Sequence, residues 1–185
     1  MTPRLRQFAR TVHVVASVGW LGAVVGFLAL AVAGLTAADV PALRAVYLAM
    51  DVIGWYVLVP FSVASLLTGL ISSLGTRWGL LRHYWVLVKL VMNLFASTVL
   101  VLFMTMFMQP LRRLADAAAT GSAGAELRSL APIVHTSGAL ILLVAAAALS
   151  VYKPRGLTRH GQRTQPRRAA AAAKPTDVVA GGWQG

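Results

Sequence analysis

Long apolar runs alternate with short polar segments along the chain. Four runs are long enough to span a membrane, and they cover residues 10–35, 44–74, 84–108 and 132–152. A bilayer core of about 30 Å needs about 20 apolar residues in a helix, because only a helix or a closed barrel satisfies its own backbone there. The pattern predicts an all-α fold, a polytopic integral membrane four-helix bundle formed by residues 1–152.

Composition supports this class and limits the chemistry. The chain is 58% hydrophobic and 12% charged, whereas soluble domains average about 25% charged residues. It contains no cysteine, which excludes disulfides, thiolate metal sites, iron-sulfur clusters and covalently attached c-type haem. Any chemistry must therefore use His, Lys, Asp, Met or a bound cofactor.

Two segments depart from simple spans. The second run is too long for one straight crossing and contains Pro60, so we expect a kink, a tilt or an extracytoplasmic extension. Residues 153–185 lose all apolar periodicity and are predicted to form a basic, disordered cytoplasmic tail. We expect the first span to be retained and not cleaved as a secretory signal, because its apolar run is too long and three more spans follow.

Basic residues are distributed unequally between the two sides. Three precede the first span, two lie in the second loop and seven lie in the tail, whereas the other side carries Arg44, Arg112, Arg113 and Arg128. The positive-inside rule places both termini in the cytoplasm. The Arg- and Ala-rich composition favours a bacterial source, hence the inner membrane. The tail is expected to contact anionic inner-leaflet lipid and, lacking interleaved aromatic residues, no nucleic acid.

Histidines provide the first candidate site. His13 lies about one turn inside the first span and His83 begins the third, so the two share a depth. Matched histidines on different helices are what a membrane b-type haem requires. The alternative is that His83, within RHYW, is an ordinary interfacial residue. His135 enters the fourth span from the other side, about 25 Å or more away, and cannot join them.

A polar stripe in the third span is the second candidate. Lys89, Asn93 and Ser97 recur every four residues, which puts them on one helix face. Such a stripe normally faces the bundle interior or a water-filled cavity. Lys89 alone is shallow enough to reach the headgroups instead, but Asn93 favours the interior. Lys89 is then the candidate catalytic residue, able to pair with a haem propionate or an acidic substrate.

Other polar or soft residues in the spans have structural interpretations. Asp51 either pairs with His135 or, as we prefer, lies near the bilayer boundary as an ordinary surface residue. Met104 and Met108 share a helix face while Met106 points away. We therefore expect methionines that fill gaps or face lipid, not a Cu(I) site.

Gly22 and Gly26 form a GxxxG pattern in the first span. Small residues at this spacing allow two helices to approach closely, so we expect a packing role. The sequence also leaves a homo-oligomer open.

Two stretches resemble a known superfamily. TVHVVASVGWLGA, with His13 and Trp20, and HYWVLVKL are similar to small helical membrane proteins around copper-resistance protein D, most of all to an uncharacterised family of predicted bacterial integral membrane proteins. The superfamily includes small haem-b membrane protoporphyrinogen oxidases, whose early histidine and Trp-x3-Lys pattern are matched by His13, Trp85 and Lys89. The resemblance covers residues 11–152 and implies haem or metal binding by His13.

Departures from the family are also visible. Where those oxidases carry a patterned aromatic and basic stretch, this chain has the plain apolar GAVVGFLALAVAGL. Copper transporters of the superfamily are usually longer, and no second metal-binding stripe is found here. These differences argue against porphyrinogen oxidation and weaken copper import.

The sequence thus favours an inner-membrane protein that binds haem b between His13 and His83, with Lys89 beside it, in a redox or electron-transfer role. It would be at most a cofactor-dependent oxidoreductase, because no nucleophile-base set or phosphate loop is present. Two alternatives stay open. One is a non-catalytic membrane assembly or regulatory protein, and the other is a copper or cation transporter.

Overall fold

The computed structural model describes residues 2–74, 84–118 and 128–152. Within these ranges the chain forms six α-helices: α1 (Pro3–Thr36), α2 (Val40–Ile53), α3 (Val59–Leu74), α4 (Tyr84–Phe103), α5 (Gln109–Ala118) and α6 (Ala131–Tyr152). Single π-helical turns at Gly54–Leu58 and Met104–Met108 join α2 to α3 and α4 to α5. The predicted all-α fold is confirmed.

Four continuous rods are long and apolar enough to cross a membrane. They cover Arg4–Thr36, Val40–Ser73, Tyr84–Ala117 and Ala131–Tyr152. The first rod begins earlier than the sequence predicts, and the third continues through α5 where the sequence predicts an end near residue 108. The predicted tail, residues 153–185, lies outside the described residues.

Neighbouring rods run antiparallel. On α1, the His13 ring contacts Thr68 of α3, and Gly34, near the other end, lies against Val46 of α2. The α3 helix packs against α4, and α6 packs against α1 and α4. The α6 helix begins where α1 ends, because Arg128, just before α6, donates to the carbonyl that follows α1. As a result, α1 begins and α6 ends at the same face of the bundle, which we call the N-terminal face. The other side is the opposite face.

Capping residues define where two rods begin. Thr2 precedes α1 and accepts a hydrogen bond from the Leu5 amide at 3.4 Å. Asp39 precedes α2 and accepts one from the Ala42 amide at 2.8 Å. In both helices a proline occupies the first turn, where its missing N–H costs no helical hydrogen bond.

The two π-turns share one cause. Each ends two residues before a proline, Pro60 in the second rod and Pro110 in the third. A proline inside a helix cannot donate to the carbonyl four residues earlier, and its ring crowds that carbonyl. A wider turn relieves this conflict without breaking the rod. The irregularity expected near Pro60 is therefore present, and Pro110 produces a second one that the sequence analysis did not predict.

The π-turns lie against each other. A Cβ atom on Gly54 would overlap the thioether of Met104, which is fully buried. Met108 is also fully buried, whereas Met106 is 66% exposed. These exposures confirm that Met104 and Met108 share an inner face and that Met106 points away from it.

Large apolar side chains face both inward and outward. The interior contains Trp20, Phe27, Met50 and Phe103, while exposed apolar side chains occur on all four rods, including Val18, Leu67, Val91 and Ile141. An exposed apolar surface of this extent is typical of a bundle covered by lipid.

The GxxxG glycines are not at a helix contact. A Cβ on Gly22 or Gly26 would meet no atom within 4 Å. Among the described residues of one chain, the close helix approach predicted for this pattern is therefore not found.

Candidate functional site

His13 lies where α1 crosses α3 in the N-terminal half of the bundle. Its Nδ1 atom is 3.1 Å from the Ser65 carbonyl oxygen and 3.1 Å from the Thr68 hydroxyl. That hydroxyl donates to the Ala64 carbonyl at 2.6 Å, so toward His13 it acts as an acceptor. Both neighbours of Nδ1 are thus acceptors, and Nδ1 carries the proton.

This tautomer leaves Nε2 of His13 with its lone pair. Nε2 makes no hydrogen bond with any of the described residues. A neutral imidazole held by a carbonyl at one nitrogen and open at the other is the usual form of a histidine that ligates a metal. The chemistry of this side chain therefore fits one axial ligand of a haem iron.

Gly69 allows the ring to approach α3. A Cβ at this position would lie 3.1 Å from Cε1 and 3.5 Å from Nδ1 of His13, a separation at which the ring would have to move. Ser65, Thr68 and Gly69 are the residues that position His13, and none was singled out from the sequence. Their recurrence at three- and four-residue spacing in α3 was the available pattern.

Hydroxyl groups continue from His13 into the bundle. Ser17, one turn further along α1, contacts the Ser65 hydroxyl at 2.9 Å. Ser62 and Ser65 are almost fully buried, at 0% and 1% exposure. The contact face between α1 and α3 is thus polar for about one helical turn on α1 and nearly two turns on α3.

The predicted stripe on α4 faces the interior. Asn93 and Ser97 are each 9% exposed, and Lys89 is half-buried and close enough to act electrostatically on His13. This confirms the interior position of the stripe.

Three buried polar groups in this half have no partner among the described residues. The hydroxyls of Ser72 and Ser97 are shielded and make no hydrogen bond there, and the Asn93 amide makes none. Since a buried polar group usually finds a partner, these three are sites where a ligand or water is expected.

The other histidines do not join this site. His83, the predicted second ligand, lies outside the described residues. His135 stacks on Phe103 in the opposite half, with ring centroids 3.9 Å apart and an interplanar angle of 4°. Phe103 adjoins Met104, which faces Gly54, and Gly54 is 14 residues from Thr68. That spacing separates His13 from His135 by about 20 Å along the axis, so they cannot share one metal.

Asp51 occupies a closed polar network in the opposite half. Its carboxylate forms an ion pair with Arg112 and accepts a hydrogen bond from the Gln109 amide at 3.0 Å. Asp51 is 6% exposed. The preferred interpretation as an ordinary surface residue is wrong, and so is a pair with His135, because α5 continues the third rod and brings Arg112 to this carboxylate.

The network extends to the surface. Arg44 contacts Asp116 at 2.7 Å, and Arg112 lies 3.9 Å from the same carboxylate. Nearby, Arg128 donates to the Ala37 carbonyl at 2.7 Å, just after the end of α1. Three of the four basic residues on this side therefore bind carboxylate or carbonyl oxygens of the protein.

Within residues 2–74, 84–118 and 128–152, no group of three or more His, Asp or Glu side chains is placed to hold a metal ion. No family model, curated protein or solved structure matches the chain. The resemblance to the copper-resistance-D-like superfamily therefore stays a prediction.

Proposed function

We propose that the protein is a multi-pass protein of the bacterial inner membrane that binds b-type haem in its cytoplasmic half and serves a redox or electron-transfer role. The observation that carries the proposal is the state of His13. Its Nδ1–H is held by the Ser65 carbonyl and its Nε2 is free of partners among the described residues, as an axial ligand requires.

Charge supports a cytoplasmic N-terminal face. The segments on that face carry twelve Lys and Arg residues outside the spans, against four on the opposite side. Of those four, Arg44 and Arg112 form ion pairs with Asp116 and Asp51. The excess of Lys and Arg thus lies with the termini, which the positive-inside rule assigns to the cytoplasm.

Two further residues complete the proposed haem site. His83 is proposed as the second axial ligand. Lys89, which is half-buried on α4, is proposed to pair with a propionate or an acidic substrate, since a cation in a low-dielectric site attracts an anion strongly. A bound haem would supply one-electron transfer, and His13, His83 and Lys89 are the residues that would hold it.

A second candidate function is non-catalytic assembly or regulation. The observation that favours it is that the His13 bonds to Ser65 and Thr68 join α1 to α3. On this hypothesis His13 specifies helix packing and Nε2 binds nothing.

An absorption spectrum tests the haem proposal directly. Protein purified in mild detergent from haem-replete cells should show a Soret band, and His13→Ala should lose the band or shift the reduced spectrum. The matched control is His135→Ala, which removes a buried imidazole from the opposite half and should leave the spectrum unchanged. A colourless wild-type protein that takes up no added haem would contradict the proposal.

Thr68→Val is the packing control for His13→Ala, and the comparison of these two variants separates the candidate functions. Thr68→Val removes one hydrogen-bond acceptor of Nδ1 but leaves Ser65 and the imidazole in place. Under the haem proposal the Soret band should persist at near wild-type intensity. Under the packing hypothesis neither variant changes any spectrum, and both only lower stability.

A fusion tests topology independently of haem. A reporter that is active only in the periplasm, placed after Gly185, should be silent. Activity from a membrane-inserted fusion would reverse the orientation and move the His13 site to the periplasmic half.

A further inference from the structure

Polar side chains in the N-terminal half converge on the bundle interior from three rods. His13 and Ser17 come from α1, and Lys89, Asn93 and Ser97 come from α4. The α3 helix contributes Ser62, Ser65, Thr68 and Ser72, which recur at three- and four-residue spacing. A polar face on a single helix is explained by helix packing. Here three rods have polar faces, and all three face the same part of the interior.

The register of the rods puts these groups at matching depths. Gly54 faces Met104, and Asp51 contacts Gln109. Continuing this antiparallel register along α3 and α4 places Gly69 near the depth of Lys89. By the same register, Ser65 lies near the depth of Asn93, and Ser17 contacts Ser65. The polar groups thus form successive layers that lead inward from the N-terminal face.

Unpartnered groups in these layers indicate an occupant. Asn93 and Ser97 are more than nine-tenths buried and make no hydrogen bond with the described residues. Within a bilayer such groups cannot be satisfied by lipid, and each one left unpaired costs free energy. Water that enters the interior would satisfy them, because it offers both donors and acceptors.

The polar layers end abruptly. Beyond Ser97 the next buried positions of α4 and the following π-turn are Leu100, Phe103 and Met104. These pack with buried side chains of α1 such as Val24 and Phe27 in one apolar cluster. An apolar layer of this kind is closed to water, so the polar region has one closed end.

We propose that the N-terminal half contains a water-filled half-channel, open at the N-terminal face beside Lys89 and closed beyond Ser97. Its ligand is water, and the chain of hydroxyl, amide and imidazole groups brings protons to a depth about 12 Å further in than Lys89. The proposal does not depend on bound haem, because it rests on the unpartnered groups and on the apolar layer.

Cysteine accessibility tests this proposal on a clean background, since the chain contains no cysteine. We would make Asn93→Cys and Ser97→Cys in the full chain, in sealed vesicles of each orientation. A membrane-impermeant methanethiosulfonate is then added to one face at a time. Leu100→Cys is the matched control one turn deeper, at 7% exposure, and Phe95→Cys is the lipid-facing control, at 61% exposure.

Both polar positions should be labelled from the N-terminal face and not from the opposite face. Labelling at Ser97→Cys should be about tenfold faster or more than at Leu100→Cys, because the reactive thiolate forms only where water reaches it. Phe95→Cys should also stay unlabelled. Each variant must first elute from gel filtration as the wild-type protein does. One that does not is replaced by a cysteine at the same depth on α3, Ser65→Cys for Asn93→Cys and Ser62→Cys for Ser97→Cys, because both serines are buried.

Three results would overturn the proposal. Absence of labelling at both polar positions would mean that water does not enter. Labelling of Asn93→Cys alone would mean that water does not reach the depth of Ser97. Labelling of Leu100→Cys from either face would mean that the apolar layer is open. None of these results bears on haem, so a colourless protein with this labelling pattern would reject the proposed function and keep the half-channel.

Discussion

The two halves of the bundle differ in how completely their buried polar groups are paired with other groups of the protein. In the opposite half, the Asp51 carboxylate is bound by both Arg112 and Gln109. In the N-terminal half, Ser97 and Asn93 are buried to a similar extent but have no partner among the described residues. The Asp51 network is thus a structural clamp that pairs all of its groups, whereas the N-terminal half pairs His13, Ser17 and Ser65 but leaves Asn93 and Ser97 without a partner among the described residues.

The comparison also explains why the interior is apolar between the halves. The two π-turns meet at Gly54 and Met104, and Leu58, Leu100 and Phe103 are buried around them. This layer separates the Asp51 network from the polar groups around Asn93 and Ser97. Disrupting it should therefore have the largest effect on the molecule.

Gly54→Val is expected to cost the most. Even a Cβ at this position overlaps the thioether of Met104, which is fully buried, and overpacking of this kind costs about 3 kcal/mol. The free energy of unfolding, measured by steric trapping in bicelles, should fall accordingly. Adding Met104→Ala should recover much of the loss, and failure of that rescue would mean that the clash is not the cause.

Asp51→Ala should come next, at about 2 kcal/mol. It removes the buried partner of Arg112, and leaving one member of such a pair alone is costly, although Arg112 is itself 38% exposed. The same unfolding measurement on Arg44→Ala is the control. That pair with Asp116 is 53% and 44% exposed and should contribute less than about 0.5 kcal/mol. If the two substitutions lowered the free energy of unfolding equally, the buried Asp51 pair would be no more important for stability than the exposed Arg44 pair.

Gly69→Ala should destabilise the protein by about 1 kcal/mol, because the new Cβ displaces the His13 ring from α3. Gly22→Ala is the matched change on a helix surface with no neighbour within 4 Å, and it should be neutral or slightly stabilising, since alanine favours a helix. A loss at Gly22 equal to that at Gly69 would point to a contact between copies of the chain, which analytical ultracentrifugation in detergent would detect.

Two serines, one hydrogen-bonded and one without a partner among the described residues, are expected to give the smallest effects. Ser17→Ala breaks the hydrogen bond to Ser65 and should cost about 0.6 kcal/mol, the average for such bonds between membrane helices. Ser97→Ala removes a hydroxyl that has no partner among the described residues and should cost nothing measurable. A clear loss at Ser97 would show that its hydroxyl is bound inside the folded chain.

Span number and the α4 stripe were predictable because both depend on local periodicity. The length of an apolar run sets the number of crossings, and four-residue spacing alone puts Lys89, Asn93 and Ser97 on one face. The partner of Asp51 was not predictable in this way. Arg112 is 61 residues away, in the stretch QPLRRLADAA, whose polarity suggested a loop, and its direction depends on how α5 continues past Pro110.

The His13 site was predicted only in part. An ionisable residue among valines in an apolar run marked the position, but its bonds depend on which residues of α3 lie opposite. Ser65, Thr68 and Gly69 meet His13 because of the packing of α1 on α3, and packing register is a property of both helices together. The second predicted ligand, His83, lies outside the described residues and stays a prediction.

The paired π-turns also determine which side of each rod faces the interior before and after the turn. A π-turn accommodates one more residue than an α-helical turn, and one residue of an α-helix corresponds to a rotation of about 100°. Deleting a single residue from Gly54–Leu58 would therefore rotate one half of that rod relative to the other, carrying Asp51 away from Arg112 or Ser65 away from His13. The extra residue in the π-turn Gly54–Leu58 therefore lets Asp51 and Ser65 both face the bundle interior, although they lie on the same rod.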